Sequence, residues 1–241
     1  MNFERLCPDC MREIPEGAGS ICPHCGYDTR SKTEITHQLK PFSILAGKYM
    51  VGNVKGEGGF GITYIGIDLN LEIRLAIKEF YPNGFATRES SVTSTLTAYE
   101  GQNKEEVLKW RDNFVKEAKT MAKFVNLPGI VGVKDFFEEN NTAYIIMEFL
   151  EGQNLKEYMA TRKGGVISVE EMLIMAKPVI LSLDSVHKEG LIHRDISPDN
   201  LMLLKGGTMK LLDFGAARSY TANNDKSLSV MLKPGYAPEE Q

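Results

Sequence analysis

The sequence predicts an α+β fold behind a small cysteine-held module, and three observations carry that expectation. Segments rich in β-branched and aromatic residues flank a glycine-dense turn at 56–61. Two later stretches carry apolar residues at helical spacing. All four cysteines fall within the first 25 residues. The 241 residues are 42% hydrophobic and 25% charged, which excludes long disorder and repetitive fibres. At ~150 residues per domain, the length suits one large domain, alone or with an appendage. A net charge of −4 argues against nucleic acid or an anionic membrane as the main partner. No apolar run approaches the ~20 residues that span a bilayer; the longest, 172–183, is interrupted by Lys177 and Pro178. The first five residues hold an acid and no apolar core, unlike a signal peptide, so the cytoplasm is the expected compartment. A membrane segment beyond Gln241 remains open.

The cysteines read Cys7-Pro8-Asp9-Cys10 and Cys22-Pro23-His24-Cys25-Gly26, two C-x2-C turns separated by eleven residues. Each turn can aim two thiolates at one point, and two turns complete a tetrahedral S4 site suited to Zn2+. Two disulfides are the alternative, which the paired spacing and a reducing compartment disfavour. So short a segment has little core, and metal binding would supply most of its folding free energy, ~10 kcal/mol or more. His24 reads as a bystander. The array resembles a zinc ribbon, expected over 1–28. Charge over 1–40 is slightly acidic, which favours a structural role or protein contact over nucleic acid. Residues 29–43 are polar without apolar period and read as a linker.

Gly56-Glu57-Gly58-Gly59-Phe60-Gly61 fits G-x-G-x-x-G, a weak signal alone because dinucleotide-binding folds share it. A dinucleotide loop opens a helix; here both flanks read as strands, so the turn is a hairpin whose N–H groups can close over phosphates. Leu75-Ala76-Ile77-Lys78 gives a third strand ending in lysine. Taken alone, Lys78 would be a solvated surface residue; its distance after the glycine loop argues otherwise. Over 105–125, Val107, Trp110, Phe114, Ala118, Met121 and Val125 mark an amphipathic helix. Glu117 flanks the stripe, where it could pair with Lys78 or simply be solvated.

Ser168-Val169-Glu170-Glu171 fits a capping box and opens a second helix, expected to kink at Pro178 and to end at Gly190. Then come His193-Arg194-Asp195-Ile196-Ser197-Pro198-Asp199-Asn200, an apolar strand 201–204, Asp213-Phe214-Gly215, and Ala237-Pro238-Glu239. With the glycine loop and A-I-K, these five motifs in order resemble a protein kinase of the eukaryotic type, of the bacterial Ser/Thr branch. The resemblance covers about 44–241 and implies a two-lobed fold: a small lobe over 44–150 and a partial large lobe over 151–241.

It also implies roles. Asp195 would accept or orient the proton of the substrate hydroxyl, and Asn200 and Asp213 would hold Mg2+ between the phosphates of ATP. Lys78, fixed by Glu117, would grip the α- and β-phosphates. Gly56, Glu57, Gly58, Gly59, Phe60 and Gly61 would cover the nucleotide. Glu148 to Leu150 resemble the hinge that hydrogen-bonds adenine, with Met147 as gatekeeper. His193, Phe214 and Met121 would stack in the core, as apolar packing alone would also have them do. The partner class is a protein substrate, and the catalytic loop lacks the A-A-R pattern of tyrosine kinases.

Three departures from the family pattern stand out. The usual lysine two residues after the catalytic aspartate is Ser197. The threonine expected before A-P-E aligns with Lys233, so Lys233 could supply the missing cation from the activation segment, or be an ordinary exposed lysine. Thirdly, the sequence stops two residues after Glu239, where the family continues; a fragment, or a partner or self-association covering the exposed large-lobe surface, would follow. Thr63 also stands where a valine usually covers adenine. An insertion over 79–104 is expected to form an ordered loop or short strands. Ser219, Tyr220, Thr221, Ser227 and Ser229 are candidate phosphosites that could pair with Arg194. The leading expectation is an ATP-dependent Ser/Thr kinase. The rivals are a nucleotide-binding pseudokinase or zinc-ribbon scaffold, and a small-molecule kinase, which A-P-E disfavours.

Overall fold

The structure, a computed structural model, describes residues 2–31, 35–88, 93–99, 103–213 and 218–219. The chain divides into two compact units, Met1–Ala118 with Val133–Phe149, and Lys119–Gly132 with Leu150–Gln241. No helix among the described residues is long and apolar enough to cross a membrane.

The first unit is built on a six-stranded antiparallel sheet. Its strands are β1 (Ile44–Leu45), β2 (Tyr49–Glu57), β3 (Gly61–Asp68), β4 (Ile73–Phe80), β7 (Val133–Glu139) and β8 (Thr142–Glu148), in the order β1-β2-β3-β4-β8-β7. Strand β3 is buried along most of its length, its residues facing cores on both sides. Ile62 and Tyr64 enter one core with Leu75, Ile77 and Ile146. Ile65 and Ile67, on the opposite face, pack with Leu6 and Met11 of the cysteine module. A Cβ at Gly66 would lie 2.6 Å from Ile77 Cδ1 and 2.9 Å from Met50 O, so only glycine lets β2, β3 and β4 close up there.

The cysteine module is a pair of matching hairpins fifteen residues apart in sequence. In the first, Cys7 N–H donates to Arg12 O (2.9 Å) and Met11 N–H to Cys7 O (2.8 Å). In the second, Cys22 N–H donates to Tyr27 O (2.9 Å) and Gly26 N–H to Cys22 O (2.8 Å). The module sits on β2: Asn53 N–H donates to Pro8 O (2.7 Å), and Lys55 pairs with Asp9 (2.8 Å). It therefore belongs to the same compact unit as the sheet.

The segment expected to be a linker is ordered where it is described beyond residue 34. Leu39 is buried, its N–H held by the Tyr64 hydroxyl (3.1 Å). His37 and Gln38 both reach the Glu57 carboxylate, at 2.8 and 3.0 Å. Ile35, Leu39 and Phe42 give the stretch no regular period, yet Leu39 fills a core position while the other two stay exposed. The insertion contributes β5 (Ala86–Thr87) paired with β6 (Thr97–Ala98). Helix α1 (Asn103–Ala122) follows; it ends short of the expected 125, and Val125 is 48% exposed.

The second unit carries β9 (Gly152–Asn154), α2 (Leu155–Thr161), α3 (Val169–Lys188), β10 (Leu191–Ile192), β11 (Leu201–Leu204), β12 (Met209–Leu211) and β13 (Arg218–Ser219). Its strands pair in the order β12-β11-β9, with β10 on β13. Ser168 caps α3 through Glu171 N–H (3.1 Å), but the capping box is only half made. The Glu171 carboxylate turns instead to the Tyr158 hydroxyl (2.8 Å) and Arg162 (2.6 Å). Helix α3 continues through Pro178 as one element and ends just before Gly190, whose φ of 76° is a left-handed value that favours glycine.

Candidate active site

Strands β2 and β3 deliver the glycine loop, closed at its neck by Gly58 N–H to Gly61 O (2.9 Å). Thr63 lies opposite Lys78 in the β3–β4 register. Lys78 Nζ stands 3.3 Å from Glu117 Oε1 on α1 and 5.5 Å from the centre of the Phe114 ring. The two charged side chains are 16% and 8% exposed. Glu148 ends β8 opposite Leu75, and Met147 is buried. The structure thus pairs the lysine and glutamate that the sequence places 39 residues apart.

The second unit assembles the other expected residues around one turn. A single 3-10 turn, Pro198–Asn200, returns Asn200 to Asp195. Asn200 Nδ2 donates to Asp195 Oδ2 (2.7 Å) and Asp195 O (2.9 Å). Its amide nitrogen is thereby committed, and Oδ1 is the atom left to meet a cation. Leu212 N–H donates to Asn200 O (2.8 Å), which ties the turn to the residue before Asp213. His193 is fully buried; its Nε2–H donates to Leu212 O (3.1 Å) and its Nδ1 accepts Asp195 N–H (3.3 Å). Burial lowers its pKa, outweighing the pull of Asp213 and Asp195, so the ring stays neutral as those two bonds require. Arg194 and Asp213 hold φ of 67° and 50°, left-handed values that cost non-glycine residues on the order of 1 kcal/mol and cluster at functional sites. Ser197 is buried, where the family pattern has a lysine.

The four cysteine sulfurs lie within 4.8 Å of one another, with Cys7 to Cys25 at 3.6 Å and Cys10 to Cys22 at 3.7 Å. These gaps are too long for disulfides. Zinc–sulfur bonds of ~2.3 Å in a tetrahedron put sulfurs about 3.8 Å apart, so the donor set fits that ion. Burial pushes the Cys7 thiol up to about 11 and Cys10 higher still. Burial also raises Cys22, but the N–H groups of His24 and Cys25 and the neighbouring thiols overcome it and bring it to about 7.

Three sets of contacts around the site were not legible in the sequence. Glu79 is wholly buried beside Lys78 and paired with Arg88 of the insertion. Its place in the alternating buried run 75, 77, 79 was the available signal: an acid there demands a partner. Trp110 meets Phe60 and Phe85, and Glu57 meets His37 and Gln38. Lys233, Phe214, Tyr220, Thr221, Ser227, Ser229 and Glu239 lie outside the described residues.

A model of the protein kinase domain matches residues 49–241. The chain belongs to that family. Curated relatives include serine/threonine-protein kinase F of Synechocystis sp., 32% identical over 204 residues, 82% of this chain and 40% of that protein. PknG of Mycobacterium leprae is 30% identical over 258 residues, 98% of this chain and 29% of that protein. Among solved structures, the apo form of PpkA-294 is similar with a TM-score of 0.68 and 31% identity, over 74% of this chain and 62% of that one. This kinase-family chain spans roughly a quarter to two fifths of the length of the curated relatives first matched.

Proposed function

We propose that the chain transfers the γ-phosphoryl group of ATP to a serine or threonine hydroxyl of a protein substrate. The observation that carries this reading is the Lys78–Glu117 pair, two charges almost removed from water. A buried ion pair adds little net stability, so its presence beside the glycine loop argues for a task. That task is to hold an ammonium in one place for the α- and β-phosphates. Asp195, fixed by Asn200, orients the incoming hydroxyl and takes its proton as the oxygen bonds to the γ-phosphorus. The bond to the β–γ bridging oxygen breaks, and ADP leaves. Asn200 Oδ1 and the Asp213 carboxylate are the groups that would hold Mg2+, which when bound neutralises charge between the phosphates. Cys7, Cys10, Cys22 and Cys25 would hold Zn2+, whose contribution is folding, not chemistry.

Ser197 favours a second reading, a nucleotide-binding scaffold without transfer. We propose Lys233 as the replacement cation. A radiolabelled-ATP assay on a generic Ser/Thr protein substrate separates the readings. Transfer is expected, lost by roughly three orders of magnitude in Asp195→Ala and by more than about tenfold in Lys233→Ala with ATP affinity kept. Tight ATP binding without transfer by the unaltered chain would favour the scaffold, and normal turnover of Lys233→Ala would remove that lysine from the mechanism.

A further inference from the structure

The insertion between β4 and α1 touches both the glycine loop and α1 within its own unit. At its start, Tyr81 N–H donates to Phe60 O (3.1 Å) and Asn83 N–H to Gly59 O (2.9 Å), so the glycine loop is tied by its backbone. Further along, the Phe85 ring meets the edge of Trp110 on α1, with centroids 4.9 Å apart and planes at 84°. Phe60, at the tip of the glycine loop, meets the same tryptophan at 5.2 Å and 85°. Trp110 lies seven residues before Glu117, two turns away on the same side of α1.

The insertion is itself anchored. Tyr99 N–H donates to Phe85 O (3.0 Å), closing the β5–β6 hairpin behind Phe85. Arg88 is buried, its guanidinium gripping both oxygens of Glu79; Nε donates to Ser94 O (2.7 Å) and Nη1 to His37 O (3.2 Å). Burial alone would make that arginine easier to deprotonate, but the Glu79 carboxylate outweighs it. Tyr64 and Tyr144 hydroxyls complete the carboxylate shell, at 2.9 and 3.1 Å. Glu79 follows Lys78 directly. One short insertion is therefore fastened to the strand that carries the lysine, the loop that covers the phosphates and the helix that carries the glutamate.

We propose that this insertion is a built-in brace, with Phe85, Trp110 and Phe60 as positioning residues that hold α1 and the glycine loop so that Glu117 stays on Lys78. This rests on the kinase reading above. Such a brace makes the paired arrangement an intrinsic property of the chain, with no second protein needed to push α1 into place.

The test uses the full chain and Phe85→Leu, which keeps apolar volume and removes the ring, with Phe85→Tyr as the variant that keeps it. Phe85→Leu should lower kcat about tenfold while the unfolding midpoint stays within a few degrees. Amide exchange over 58–61 and α1 should rise at least tenfold, and emission of the chain's single tryptophan should shift to the red. Phe85→Tyr should restore all three. Added to Glu117→Gln, Phe85→Leu should change kcat less than twofold, because the pair it positions is already lost. Wild-type exchange and emission in Phe85→Leu, or an equal loss of kcat in both backgrounds, would overturn the brace. An unaltered chain that transfers no phosphate overturns the kinase reading alone; exchange and emission still decide the brace.

Discussion

His193 shows how completely two hydrogen bonds can choose a protonation state. A carbonyl on one ring nitrogen and an N–H on the other require a neutral imidazole with its proton on Nε2. A charged ring would lose the bond from Asp195, so the placing of Asp195 depends on the neutral form. A different residue carries the acid sensitivity that is simplest to measure. Asp135 sits between Lys48 Nζ (2.9 Å) and the Tyr49 hydroxyl (2.8 Å). Burial opposes its ionisation, but those two partners prevail and hold its pKa below the ordinary value. A carboxyl lowered on folding adds stability that is whole above the unfolded value and fades as pH falls through the folded one. Asp135→Asn should therefore narrow the gap in urea midpoint between about pH 5 and pH 3 relative to the unaltered chain. An identical gap in both proteins would remove Asp135 from the acid response.

Among the elements, those with a strong local pattern were readable and those fixed from afar were not. Strands β2 to β4 and the glycine turn follow from β-branched residues around glycines, and α1 from its apolar stripe. The turn that returns Asn200 to Asp195 was readable because His193, Asp195, Asn200 and Asp213 sit at telling intervals. Arg88 gave no local sign, since its partner Glu79 lies in β4 and only burial makes the pair necessary. Likewise Leu39 is one apolar residue whose pocket is made by distant strands. At Pro178 the sequence marks the loss of one N–H, and what packs against that turn is fixed from afar. That packing is tight. A Cβ on Gly129 would fall 2.2 Å from Pro178 O and 2.5 Å from Val179 Cα, both backbone atoms that cannot rotate aside. Gly129 N–H also donates to Ser182 Oγ (3.0 Å), and its carbonyl accepts Leu211 N–H (2.8 Å). Gly129→Ala should cost roughly 1–3 kcal/mol by overpacking, read as a lowered denaturation midpoint. An unchanged midpoint would show that α3 can shift to make room.

At the scale of the molecule, the cysteine module and the sheet share one compact unit, so what folds the module should support the sheet. With Zn2+ proposed for this site, a chelator should unfold the hairpins, since the four sulfurs lose the cation that ties the two turns together and the module has little core of its own. Leu6 and Met11 would then leave Ile65 and Ile67 uncovered. The expected outcome is a lower melting temperature for the whole first unit and new proteolytic cuts within 1–31, both reversed by added zinc. A melting curve indifferent to chelation would mean that the module stands on its side-chain contacts alone. The two hairpins place different residues at the position that follows the second cysteine of each. The second uses Gly26 where the backbone turns left-handed, at φ 77°; the first uses Met11, at φ 51°, with its sulfur 2.9 Å from where a Cβ on Gly52 would lie. Glycine at position 11 would relax the backbone but delete the side chain that plugs the module into its host. A foreign ribbon spliced onto this chain, however well it bound its ion, would arrive without that plug, which makes the native module a fitted part and not an interchangeable one.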